Sequence, residues 1–332
     1  MFDFSSSPLL ARRTPGERRF RLFADVLIVW AIVYAAQLFA GLVPGMLATV
    51  ILGLNGFSRI ISEGIGAAST EGAAALNREA AIELAEKISG SEAYRIAEHF
   101  GQAWAIAAAL FVCLSIQRRS LATMGIEKRG AAKRCVFGFL LGAALCGATV
   151  LVSVVFRAAT FEGLSPDVDY LVVVFSFFGY LIQGAAEELL IHGLFMTDLA
   201  RRFRWLPSVL FSSLMFALLH VFNNGVTLLS LLNVFLFGVF LGLFVIRTGS
   251  VLGAAALHAA WNYTEGRVFG CAVSGFASPT SLFTVTADAG RTATNGGTFG
   301  PEGGLAATMV LMLCLIAVLF IPSFKKKDRP TT

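Results

Sequence analysis

Acid, imidazole and amide side chains stand inside apolar stretches at three places in this chain. They are Glu187-Glu188 in AAEELLIHG, His220 in FALLH, and His258 with Asn262 in HAAWN. Ionisable groups are costly at membrane depth, so a cluster of them reads as a functional site. Three of the four histidines, His192, His220 and His258, fall between residues 187 and 262. A buried carboxylate beside a neutral imidazole can take a proton from water and make a nucleophile, and Glu187 with His220 reads as that pair. A second imidazole and a side-chain amide can donate hydrogen bonds to the oxyanion of a tetrahedral intermediate, and His258 with Asn262 reads as that set. Glu187, His220 and His258 equally make a two-His, one-carboxylate set suited to a catalytic zinc with an open water position. No Ser, Cys or Lys in these segments has a comparably placed base, which disfavours a covalent nucleophile.

Helical geometry must bring these groups together. The segments around 169–197 and 206–222 form an antiparallel hairpin turning near Phe203–Pro207. Glu187 and His220 each lie about sixteen residues from that turn, which puts them at the same depth. His258 and Asn262 are four apart and share one helix face, as do Phe216 and His220; Phe216 reads as packing. Glu188 and His192 are also four apart, with the acid first, the favourable order for a supporting pair. Glu187 and Glu188 point about 100° apart on a helix, so they have different jobs.

The rest of the chain reads as the frame for this cluster. Of 332 residues, 56% are hydrophobic and only 14% charged, against about 25% charged in soluble domains. The apolar runs are about 17 to 25 residues long, enough to cross a bilayer. The predicted fold is an all-α, polytopic transmembrane bundle of about eight membrane helices. They are placed near 22–54, 101–117, 135–157, 169–197, 206–222, 227–246, 250–265 and 306–322. The organisation is read as N-terminal membrane helices over 1–134, a catalytic membrane core over 135–270, and a Gly-rich loop with a C-terminal membrane helix over 271–332. Within the first part, 58–100 reads as an acidic extramembrane helical segment, with His99 a surface histidine.

Basic runs alternate onto one side, among them the N-terminal arginines, the loop RRSLATMGIEKRGAAKR, Arg201–Arg204, Arg247 and the terminal KKKDR. By the positive-inside rule both termini are expected in the cytoplasm, and the net charge of +5 is not a nucleic-acid signal. No cleavable signal peptide is expected, because the first apolar run is too long for one. The five cysteines match no metal or redox spacing and read as small hydrophobes. The loop 273–305 is rich in Gly, Ser and Thr, and Glu302 in it reads as a solvated carboxylate, a lid contribution being the other reading.

Three motifs in order resemble those of the CAAX-protease and bacteriocin-processing (CPBP) intramembrane proteases, which include type II CaaX prenyl endopeptidases. The family pattern is EExxxR, FxxxH and HxxxN on successive membrane helices. Here it stands as Glu187-Glu188-Leu189-Leu190-Ile191-His192, Phe216-Ala217-Leu218-Leu219-His220 and His258-Ala259-Ala260-Trp261-Asn262. The resemblance spans about 170–270, and FGPEGG looks like loops of the bacterial branch. It implies an intramembrane endopeptidase acting on a membrane-associated or lipidated peptide or protein, in a bilayer, by extension a bacterial plasma membrane. In that reading Glu187 and His220 activate water, His258 and Asn262 bind the oxyanion, and Glu188 supports the geometry. The resemblance leaves a metal mechanism, with zinc on Glu187, His220 and His258, and a metal-free one both open. One departure stands out: His192 takes the place of the family's arginine beside Glu188. It supports an alternative, a non-catalytic membrane scaffold or immunity-type protein on the same fold. A proton-coupled carrier is a third reading, which the lack of internal repeats disfavours.

Overall fold

A computed structural model describes residues 91–320, together with Leu9 and scattered positions between Ala24 and Leu38. The predicted first membrane segment, most of the 58–100 segment and both termini lie outside these residues. Four helices are long and apolar enough to cross a membrane: α1 (Glu92–Ile116), α2 (Ala131–Val155), α3 (Tyr170–Ala200) and α5 (Leu228–Thr248). They correspond to four of the eight expected segments. Two more are apolar but shorter, α4 (Trp205–Leu218) and α7 (Leu305–Phe320). The seventh expected segment becomes α6 (Val251–Tyr263), 13 residues long and almost wholly buried. Among the described residues four helices reach spanning length, and most of the expected first segment lies outside those residues.

Each helix starts where local chemistry allows it. Asp169 caps α3 by accepting from the amides of Leu171 and Val172. Thr227 and Ser230 form a reciprocal capping box at the start of α5. These side chains take up amide donors that a helix start leaves unpaired. Gly249, at φ 68°, ends α5 in the left-handed conformation that glycine adopts without steric cost. The chain then reverses directly into α6, which Ser250 caps.

α6 is the central element, pressed between α2 and α3. A Cβ on Gly142 of α2 would stand 2.0 Å from the Leu257 carbonyl oxygen, and one on Gly184 of α3 would stand 2.9 Å from the Ala259 nitrogen. Only glycine lets these backbones approach so closely, the way small residues pack helices in membranes. This contact brings the face of α6 that carries His258 against the acidic pair on α3. Lipid-facing surfaces stay apolar: Leu140 and Leu151 on α2, Leu171 and Phe175 on α3, and Leu313 and Ile316 on α7 are all exposed. The result is an integral membrane protein by fold and composition.

The all-α expectation is corrected in one respect. Residues Ala159–Leu164 (β1) and Phe283–Ala287 (β2) form an antiparallel pair, with a bulge between Phe161 and Gly163. The long loop is accordingly an ordered structure that pairs back onto the end of α2. It includes short turns at Gly297–Phe299 and Pro301–Gly303. At the other end of the molecule the basic loop after α1 is partly internal. Buried Arg119 donates to Gln117, Thr123 and Thr197 and to the Leu194 carbonyl, tying that loop to α3.

Candidate active site

α3 supplies both glutamates. The helix is regular through Glu188 and then π-helical over Leu189–Phe195. π-Helical turns inside α-helices are frequent at functional sites. Glu188 is fully buried and takes two imidazoles, His192 Nδ1 at 2.7 Å and His258 Nδ1 at 3.0 Å. A carboxylate can only accept, so both rings donate from Nδ1. His192 therefore does at Glu188 what the arginine of the motif would do. Its Nε2 is buried without a hydrogen-bond partner.

Glu187 is the more open of the two, its side chain 24% exposed. Its Oε1 accepts from Gln183 Nε2 at 2.5 Å. Gln183 Oε1 in turn accepts from Asn262 Nδ2 at 3.0 Å. Glu187 Oε2 accepts no hydrogen bond and lies 4.0 Å from His258 Nε2. His220 follows the last turn of α4 rather than standing mid-helix, and its Nδ1 donates to the Phe216 carbonyl at 2.8 Å. A carbonyl cannot donate, so that proton is fixed on Nδ1 and Nε2 is left as the reactive nitrogen. Phe216 packs edge-on against both His220 and His258, with centroids at 4.9 and 5.7 Å.

Glu187, His220 and Asn262 line one cavity of about 170 Å³, with Gln183, Asn223 and Ser274 among its other polar residues and Arg95, Glu98 and Gln102 contributed by α1. The hairpin argument from the sequence thus places Glu187 and His220 on a common space. His258 lies just behind, in a narrow gap shared with His220, Ser274 and Glu302. The expected division of labour changes in one detail. His258 is oriented by Glu188, and Asn262 is wired to Glu187 through Gln183.

Several lining residues carried no signal as motifs. Gln183 stands four residues before Glu187, the spacing that puts both on one helix face, and it is a polar residue in an apolar run. His99 is not a surface histidine. It lies against Tyr180 with centroids 4.6 Å apart, lines the same cavity, and belongs to the continuous helix α1. Arg267 closes α1 onto the segment after α6 through a paired contact with Glu92, at 2.7 Å for Nη1–Oε1. Glu302 is not a solvated loop residue; its Oε1 accepts from the amide and the hydroxyl of Ser274, both at 2.6 Å.

Among the described residues no group of three or more His, Cys, Asp or Glu side chains is arranged to hold a metal ion. Glu188 holds His258 through Nδ1, and His258 Nε2 stands 4.0 Å from Glu187 Oε2; two atoms that each ligate one zinc at about 2 Å stand about 3.3 Å apart in a tetrahedral site, so that pair is somewhat wider than such a site.

Comparison with known proteins places this arrangement. Residues 169–264, under a third of the chain, match the family model described as type II CAAX prenyl endopeptidase Rce1-like. No curated protein and no solved structure matches the chain. The matched segment runs from the cap of α3 to the end of α6 and contains every residue of the three motifs. The match supports the resemblance to the CPBP family that the three motifs carry, the similarity being to type II CAAX prenyl endopeptidase Rce1-like proteins over that segment.

Proposed function

We propose that this protein is an intramembrane endopeptidase that hydrolyses a peptide bond with water activated by Glu187. The family suggests protease activity of the CAAX type. The observation that carries the mechanism is the state of Glu187: one oxygen is held by Gln183, and the other is unengaged in a cavity it shares with His220 and Asn262. A fixed carboxylate with a free oxygen, within reach of the water it would deprotonate, is what a general base requires.

Glu187 Oε2 takes a proton from water while His220 Nε2 orients that water. The hydroxide oxygen bonds to the scissile carbonyl carbon, and the carbonyl electrons move to oxygen. The remaining Nδ2 hydrogen of Asn262 donates to the developing oxyanion, and His258, which already donates from Nδ1 to Glu188, joins it from Nε2 when the ring carries a second proton. The proton held by Glu187 then passes to the amide nitrogen. The C–N bond breaks, leaving a carboxylic acid and an amine. The substrate is a peptide or membrane protein that reaches the cavity within the bilayer.

The scaffold reading rested on His192. The 2.7 Å bond from His192 to Glu188 removes that motive, because the substituted residue still engages the second glutamate. The test is a quenched-peptide library, with prenylated and plain members, incubated with detergent-purified protein with and without chelator. Cleavage that survives the chelator is the expected result. Cleavage abolished by chelator and restored by zinc would replace the metal-free mechanism. No cleavage of any member by folded protein would return the scaffold reading.

A further inference from the structure

Glu302 lies well outside the matched segment, on the turn Pro301–Gly303 that leads into α7. Its hydrogen bonds tie it to Ser274, to Asn233 and to Glu265. Its Oε1 accepts both the amide N–H and the hydroxyl of Ser274. Its backbone carbonyl accepts from Asn233 on α5, and its amide donates to Glu265 just after α6. Ser274 sits in a tight reversal whose ends, Val273 and Phe276, exchange backbone hydrogen bonds; Ser274 has φ 47° and Gly275 φ 88°. The Ser274 carbonyl accepts from Asn223, three residues after His220. This reversal forms one wall of the main cavity, and Ser274 with Glu302 backs the gap behind His220 and His258.

We propose that Glu302 is a positioning residue for the reaction: through Ser274 it fixes the 273–276 reversal against the two imidazoles. It need not touch substrate. A non-glycine residue at positive φ persists only where its surroundings hold it, and Ser274 is held from one side by Glu302 and from the other by Asn223. A small displacement of catalytic side chains is expensive in rate, so loss of this backing should lower turnover rather than substrate binding.

The inference rests on the endopeptidase reading, and the test separates the two. Glu302→Ala and Glu302→Gln are compared with wild type in cleavage kinetics, with Glu187→Gln in parallel. Both Ser274 bonds go to a single oxygen, so the glutamine amide oxygen can keep them. Glu302→Ala should lower kcat about tenfold or more, with KM within about twofold, and Glu302→Gln should stay within about threefold of wild type. Hydrogen exchange gives a second readout that needs no activity: the Ser274 amide should lose protection in Glu302→Ala and keep it in Glu302→Gln. A folded Glu302→Ala with wild-type kcat, or with unchanged Ser274 protection, would overturn the proposal. So would a Glu302→Gln as impaired as Glu302→Ala. Full activity in Glu187→Gln would instead sink the endopeptidase mechanism and leave the exchange result standing.

Discussion

The helices α3 and α6 and the loop 273–304 contribute to the same site in opposite ways. The helices carry their polar groups at fixed spacings inside apolar sequence, so a four-residue interval by itself puts Glu188 beside His192 and His258 beside Asn262. The loop reaches the site through backbone reversals, a carboxylate on a short turn, and hydrogen bonds between residues 28 apart, such as Ser274 and Glu302. Chemistry borne on helices is visible as periodicity. Chemistry borne on a loop depends on tertiary hydrogen bonds that no spacing announces.

The comparison can be broken most sharply on the helical side. Glu188→Ala would leave two buried imidazoles without their shared acceptor. It should lower the melting temperature by several degrees as well as abolish cleavage, since an unpaired buried polar group costs about 1–3 kcal/mol. A folded, equally stable and active variant would remove Glu188 from its bridging role. Asn262→Ala should reduce kcat on the order of a hundredfold, the scale for loss of an oxyanion donor. An unchanged kcat would take it out of the site. Gln183→Leu removes the link between Glu187 and Asn262 while keeping bulk. About tenfold loss in kcat is expected if the link orients the base, and no loss would make it a packing contact. His192→Arg should leave activity within about threefold, because a guanidinium also donates to Glu188. A large loss would show that the imidazole has a role beyond that bond.

The smallest effect falls on the loop side. Burial raises the Glu302 carboxyl above the ordinary glutamate range. The folded state therefore holds that proton more tightly than the unfolded chain does. Its contribution to stability is complete below the ordinary glutamate pKa and is lost as pH rises through the raised value. Glu302→Gln should thus gain melting temperature relative to wild type as pH increases from 4 to 8. A constant difference across that range would place the Glu302 carboxylate in a more solvated setting than its burial indicates.

Much of the site was legible in the sequence because membrane helices tolerate few polar residues. Glu187, Glu188, His192, His220, His258 and Asn262 stood out against hydrocarbon-like neighbours, and hairpin depth alone brought Glu187 and His220 together. The helix count was less legible. Hydropathy does not distinguish a helix in lipid from one packed in protein, and α6 is nearly all buried at 13 residues. Its position depends on Gly142 and Gly184, whose absent side chains set how near α2 and α3 can come. Composition did not announce the β1–β2 pair either, since β2 lies within a stretch rich in Gly, Ser and Thr. His99 looked exposed because the polar residues around it suggested a surface helix, whereas α1 runs on continuously into apolar sequence.

The central claim is that Glu187 is the base that activates water. The most direct measurement is the cleavage rate of Glu187→Gln against wild type on the same quenched peptide, at matched concentration and helical content. Glutamine keeps the shape and the contact with Gln183 but cannot accept the proton. The account predicts a loss of at least about a thousandfold. Cleavage at the wild-type rate by the folded variant would contradict it.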